Sequence, residues 1–280
     1  MTDYVLDRLV EAVVYGAGAE RSRGRLNGSV GLPCSQNAHD QNVLVRCAQS
    51  KADRSVQLLW GKSYKTAMDW QSIQQTVQSC RRCEAESVAY LRVPCKEKRK
   101  PIYEPIRPIR LYFVSVAPPW GGAYFWDESK RDAVREGLFR ALSAALGEEI
   151  STCRQFRDMG FFLTPAVKCP SMKDNRDHNK PQRGAVRNCA DFLRDELFAS
   201  EAERVLALGK VPFKTLCKIF NIRKPPQESA EFRKQIWWVQ SGARKIPLSG
   251  TYFPGNNRHK GFSAIVQDID RILKLFPKAQ

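Results

Sequence analysis

The sequence predicts an α/β fold, a three-layer α/β/α sandwich around a central four-stranded parallel sheet with an added N-terminal segment. Beyond residue 110, short apolar runs alternate with longer stretches of helical periodicity, the pattern of parallel strands covered by helices on both faces. With 280 residues and 42% hydrophobic content, the chain is long enough to bury a substantial core. No apolar run approaches membrane-spanning length, so no membrane partner is expected.

Residues 1–79 read as an N-terminal extension. It opens with an amphipathic helical pattern (Tyr4, Val5, Leu9, Val13), continues through a basic Gly- and Ser-containing stretch at 21–31 that reads as a loop, and ends in a polar segment at 58–77. The aromatics of that last segment, Trp60 and Trp70, suggest helices packed on the main domain. The main domain is expected over 80–280. Its first part, residues 96–110, holds three X-Pro-Ile steps and a basic run and should be extended and irregular. The expected strands are 111–116, 161–166, 205–208 and 246–251. Helical patterns lie at about 131–146, 185–199 and 211–220, with a last helix on which Ile265, Ile269, Ile272 and Phe276 recur at helical spacing. In such sheets ligands bind beyond the carboxyl ends of the strands, so the segments after 116, 166, 208 and 251 should line any site.

The formal net charge is +17. Residues 1–79 carry nine Lys/Arg against seven Asp/Glu, so +15 of the excess lies in residues 80–280. Such a charge favours approach to a polyanion through counterion release and points to nucleic acid, or less often an anionic membrane, as partner; the plainer alternative is a basic protein kept soluble by self-repulsion. Nine cysteines, an odd number, follow an N-terminus in which Asp3, Asp7 and Arg8 interrupt the apolar residues as no secretory signal would. A cytosolic, monomeric protein without a disulfide framework is therefore expected. Cys80-Arg-Arg-Cys83 places two thiolates in one turn, and Cys169 and Cys189 follow the second strand and enter the next helix. Four soft ligands in two pairs suit zinc or a [4Fe-4S] cluster equally well.

The segment Phe161-Phe-Leu-Thr-Pro-Ala-Val-Lys-Cys169, then Cys189-Ala-Asp-Phe-Leu and Val205-Leu-Ala-Leu-Gly209, resembles the iron-sulfur uracil-DNA glycosylases, families 4 and 5, over about residues 78–276. The resemblance implies DNA as partner and a [4Fe-4S] cluster held by Cys80, Cys83, Cys169 and Cys189. It places the first active-site motif at Val114-Ser-Val-Ala-Pro-Pro119, so that Val116, Ala117 and Pro118 line the base pocket. Val116 is apolar, as in family 5, which sets an aspartate farther along the same loop after an aromatic; Phe125-Trp126-Asp127-Glu128 resembles that arrangement. Breaking an N-glycosidic bond builds positive charge on the sugar, which a nearby carboxylate stabilises. Asp127 is the candidate carboxylate, with Glu128 second; the alternative for Asp127 is an N-cap of the following helix. Phe125 would stack on an extruded base, with Trp126 beside it.

The chain departs from the family pattern at two base-reading positions. Pro165 stands where an asparagine usually bonds the uracil edge, and Phe253-Pro254-Gly255 stands where His-Pro-Ser is usual. Both changes point away from ordinary uracil and toward a different, modified pyrimidine, such as a hypermodified phage cytosine in antiviral defence. Uracil removal in base excision repair and a non-catalytic DNA-binding module are the alternatives. Past the fourth strand, Asn256 would contact the base, and Asn257, Arg258, His259 and Lys260 the DNA, a solvated turn being the plainer reading. Arg81, Arg82 and Lys98 are expected to hold phosphates.

Overall fold

Strands β1 (Leu111–Ser115), β2 (Phe161–Pro165), β3 (Val205–Leu208), β4 (Trp237–Ser241) and β5 (Arg244–Thr251) form one sheet in the order β2-β1-β3-β5-β4. The computed structural model describes residues 69–85, 105, 107–118, 125–169, 181–255 and 261–276. These belong to the unit Tyr64–Gln280, one of the two into which the chain divides. β1, β2, β3 and β5 are mutually parallel where they pair, as expected, but the sheet is five-stranded and mixed, because β4 runs antiparallel to β5. Every residue of β1 and of β3 is buried, as central parallel strands require. Their unbroken apolar runs made them easy to place.

β4 is the strand the expectation lacked. It lies at the sheet edge, and its half-buried pattern never makes a continuous apolar run. Its hairpin with β5 turns at Gly242 (φ 60°), where a two-residue loop requires the left-handed conformation. β5 therefore begins at Arg244 rather than 246. Pro247 lies one residue before pairing with β3 starts at Leu248, which keeps its missing N–H out of that ladder.

Among the described residues the helices are α1 (Trp70–Ser79), α2 (Arg82–Ala85), α3 (Ala133–Leu146), α4 (Cys153–Asp158), α5 (Arg183–Ala199), α6 (Lys210–Ile219), α7 (Ser229–Phe232) and α8 (Phe262–Leu273). From β1 the chain moves outward to β2 through α3, then back across to β3 through α5 and on to β5 through α6. Right-handed crossovers therefore place α3 on the face opposite α5 and α6. α8 packs with α3, and α1 and α6 with α5, which completes the three layers. α8 ends at Leu273, so Phe276 is not on its apolar face as expected but 78% exposed. α1 is capped by Asp69, which accepts from the Ser72 amide at 2.9 Å, and it buries Trp70, Ile73 and Val77 at helical spacing. Trp70 meets the Phe162 ring of β2 edge-on at 5.4 Å. Gly250 is the residue that lets α6 and α7 close on β5. A Cβ there would come within 2.5 Å of the Phe232 ring, which stacks on Phe213 at 4.4 Å.

Candidate active site

The carboxyl ends of four strands meet along one edge. Ser115 pairs with Pro165, and beyond them the Ala166 amide donates to the Ser115 carbonyl at 2.8 Å and the Val167 amide to the Val116 carbonyl at 3.0 Å. Leu208 pairs with Thr251, and the Gly209 amide donates to the Thr251 carbonyl at 2.9 Å. Because the connections leaving β1 and β3 run in opposite directions, the crevice between those two strands is the topological switch point where such sheets bind ligands. Val116 and Ala117 are half-buried there, and Pro118 is buried. Gly209 (φ 100°) adopts a conformation that disfavours any side chain, and its Cα faces Phe253, whose Cβ would lie 3.6 Å from an added Cβ. Phe253 is half-buried and folds back on Gly255, whose added Cβ would meet the same ring at 2.7 Å and Val134 of α3 at 3.3 Å. The loop after β5 thus reaches the start of α3.

The segment before α3 carries Asp127. The cap of α3 is Asp132, five residues further on, whose carboxylate accepts from the Arg135 amide at 2.8 Å. Burial holds the Asp132 carboxyl above its ordinary range, against the opposing pull of that amide and of the Arg135 charge. Asp127 is therefore not the helix cap. It is half-buried, accepts from the Ser129 hydroxyl at 2.5 Å, and its own carbonyl accepts from Arg135 at 3.1 Å. Glu128 is committed elsewhere: it accepts from the Cys153 amide at 2.6 Å and so satisfies the first turn of α4, beside a capping box between Thr152 and Gln155. Burial, with the Glu128 charge next, pushes the Cys153 thiol up to about 12.

Phe125 and Trp126 belong to the core. Phe125 is 7% exposed and packs against Trp126 (5.1 Å), Phe156 (5.2 Å) and Phe139 (5.7 Å). The Trp126 indole donates to the Leu163 carbonyl at 3.1 Å. The ring expected against an extruded base is taken up by other rings, because the apolar side of this segment faces α3 and α4. Pro165 sits at the end of β2, half-buried, with its carbonyl accepting from Lys168 at 3.0 Å.

Cys83 and Cys189 share one buried apolar group with Val167 and Ala185, and Ala117, just beyond β1, packs against it. Cys169 is buried and Cys80 half-buried. Burial pushes the Cys189 thiol up to about 11, with the Lys168 amide and charge opposing and the Cys83 and Cys80 thiols adding to it. The Asn188 amide donates to Cys83 Sγ at 3.6 Å. Arg82 lies over the Phe192 ring at 4.7 Å and donates to the Asn188 carbonyl at 3.2 Å and to Asp191 at 3.3 Å, so it orders the Cys80–Cys83 turn against α5. Arg81 is exposed beside it. Among the described residues no group of three or more His, Cys, Asp or Glu side chains that could hold a metal ion is present. Lys98, Asn256, Asn257, Arg258, His259 and Lys260 lie outside the described residues.

Sequence reasoning missed a buried polar network between pocket and cysteines. The Lys168 ammonium bonds the Glu196 carboxylate and donates to the Thr164 hydroxyl at 2.8 Å; the same carboxylate accepts from the Thr164 hydroxyl at 3.0 Å and from the Tyr112 hydroxyl at 3.4 Å. Burial, and next the Glu196 charge, hold the Tyr112 hydroxyl well above its ordinary range. The readable signal was Glu196, set among Phe192, Leu193 and Leu197 on the buried stripe of α5.

A family model of the Uracil DNA glycosylase superfamily matches residues 102–265, more than half of the chain. The chain belongs to that superfamily. It is also 35% identical over 95 residues to the type-5 uracil-DNA glycosylase of Pyrobaculum aerophilum, a match that covers 32% of this chain and 39% of the length of that protein. No helix among the described residues is long and apolar enough to cross a membrane.

Proposed function

We propose that the protein is a monofunctional, monomeric DNA glycosylase that extrudes a modified pyrimidine and hydrolyses its N-glycosidic bond. The observation that carries this reading is Asp127. It stands in the loop after β1 where the type-5 resemblance sets a carboxylate, and the capping role that would otherwise explain it belongs to Asp132. The Asp127 carboxylate stabilises positive charge developing on the sugar and orients the attacking water. Pro165 offers no donor, and Phe253 no imidazole, at the positions expected to read and release uracil. A pocket walled by Val116, Ala117, Pro118, Pro165 and Phe253 suits a base recognised by shape, and a glucosylated phage cytosine is the substrate class we favour, in defence against phage. The basic surface holds DNA through its phosphates.

Cys80, Cys83, Cys169 and Cys189 would hold the [4Fe-4S] cluster. In donor type they fit it, with four thiols, three of them buried, and an amide N–H directed at Cys83; the side chains as they stand are not drawn together into a metal-binding group. When bound, the cluster supplies structural order to the segments behind the pocket. A brown protein with broad violet absorption supports it, and a colourless zinc-containing one overturns it.

The test is base release and abasic-site formation on duplexes carrying uracil, hydroxymethylcytosine or glucosylated hydroxymethylcytosine, with Asp127→Ala beside the wild type. Release from the glucosylated duplex, abolished by the substitution, is the expected result. Release of uracil alone identifies a repair enzyme. Salt-sensitive binding with no release from any duplex identifies a DNA-binding module and overturns the enzymatic reading.

A further inference from the structure

The first turn of α3 holds a cation where a helix least favours one. Helix N-termini present unpaired N–H groups and the positive end of the dipole, yet Arg135 is buried there, 9% exposed. Its guanidinium turns back on the preceding loop. Nη1 donates to the carbonyls of Phe125 at 2.8 Å and Asp127 at 3.1 Å, and Nη2 to that of Lys130 at 2.5 Å. A planar fork with five donors can serve three carbonyls at once; an ammonium is a single point. The carboxylate of Asp127 is tied to Ser129 within the same turn. That tie lies within the turn, and the grip of Arg135 on the Asp127 carbonyl fixes the backbone that carries the carboxylate.

We infer that Arg135 is a positioning residue: by gripping the carbonyls of Phe125, Asp127 and Lys130 it sets where the Asp127 carboxylate stands relative to the sheet. The inference rests on the role proposed for Asp127. Two further holds, Trp126 on Leu163 and Glu128 on Cys153, fix the loop's neighbours to β2 and α4, whereas Arg135 bonds Asp127 itself. Losing it should displace the carboxylate without dissolving the core, and a displacement of about 1 Å is enough to lower a rate on the order of 100-fold.

The test uses the full-length protein as purified, with Arg135→Met, Arg135→Lys and Asp127→Asn. Single-turnover release is followed on the same three duplexes, together with backbone hydrogen exchange. Arg135→Met should lower the limiting rate about 10- to 100-fold at an unchanged half-saturating concentration. It should also strip protection from residues 127–130 while leaving β1 and β3 protected. Arg135→Lys should fall between, and it carries the comparison should the methionine variant not fold. An unchanged limiting rate, or exchange rising equally across the sheet, overturns the inference. If Asp127→Asn releases base at the wild-type rate, or no duplex is cleaved, the functional reading is what fails; protection of residues 127–130 then upholds or overturns the grip of Arg135 by itself.

Discussion

Two buried charge groups clamp a helix to the carboxyl end of a strand, one on each flank of the sheet, and they are built differently. On the β2 flank, Lys168 and Glu196 are 3% and 0% exposed and meet Thr164 and Tyr112, tying α5 to the end of β2. On the β5 flank, the Asp268 carboxylate of α8 is 2% exposed, but its partners Arg233 and Arg271 are 18% and 37% exposed; Thr251, the last residue of β5, donates to the same carboxylate at 2.7 Å. The topology of the clamp is the same, yet its access to water is not. A charge that loses its partner on the β5 flank can turn outward, whereas on the β2 flank it cannot. The dry clamp stands beside the cysteines and the wet one beside the loop after β5. The cysteine side is thus held rigidly, while the pocket rim is held by contacts that tolerate adjustment.

The largest effect should come from breaking the dry clamp on one side. Glu196→Ala leaves an uncompensated ammonium in the core and should cost about 3–5 kcal/mol, read as a lower denaturant midpoint in equilibrium unfolding. Lys168→Met should cost a similar amount. Combining Lys168→Met with Glu196→Leu removes both charges and should recover most of the loss, because the desolvation each ion demands disappears with it. Additive losses in the double variant would mean that the pair is not coupled. Then the cysteine side would owe its rigidity to apolar packing alone.

Asp268→Asn on the other flank should cost less, about 2 kcal/mol, since it forfeits charge-assisted hydrogen bonds but leaves two arginines with a route to water. Equal costs on the two flanks would remove the distinction between them. Arg233 also lies over the Tyr252 ring at 4.6 Å, next to Phe253. The same substitution should therefore loosen the pocket rim, measurable as faster exchange at residues 252–255.

The sequence made the sheet legible where burial is continuous. The mainly apolar runs of β1 and β3 are short and bounded as buried strands are, whereas β4 mixes exposed and buried positions at an edge and hides among loop residues. The Cys80–Cys83 pair was legible from spacing, because two cysteines in one turn leave a local pattern, and Cys83 does share a buried group with Cys189. The clamps left none: Lys168 and Glu196 are 28 residues apart, and only the return of α5 across the sheet joins them. Asp127 and Asp132 show the limit most directly. Both precede the same helix, and which one caps it depends on where the first turn begins, which is directly after Asp132.

The smallest effects sharpen the comparison through its outer members. Tyr112→Phe removes a long, buried hydrogen bond at 3.4 Å while Glu196 keeps Lys168 and Thr164, so about 1 kcal/mol should be lost. Arg271→Ala removes a partly exposed ion pair three residues along the same helix and should cost about 0.5 kcal/mol. Salt separates the two. Exposed pairs are screened within about 8–10 Å at ordinary ionic strength, so the ion-pair part of the cost of Arg271→Ala should vanish in 1 M NaCl, leaving the part due to its hydrogen bond to the Arg233 carbonyl. The cost of Tyr112→Phe should persist, because no counterion reaches a hydroxyl enclosed by α5 and the sheet. If both costs shrink alike in urea titrations at the two salt concentrations, water reaches the β2 flank as well. The rigidity assigned to the cysteine side would then not come from a dry clamp.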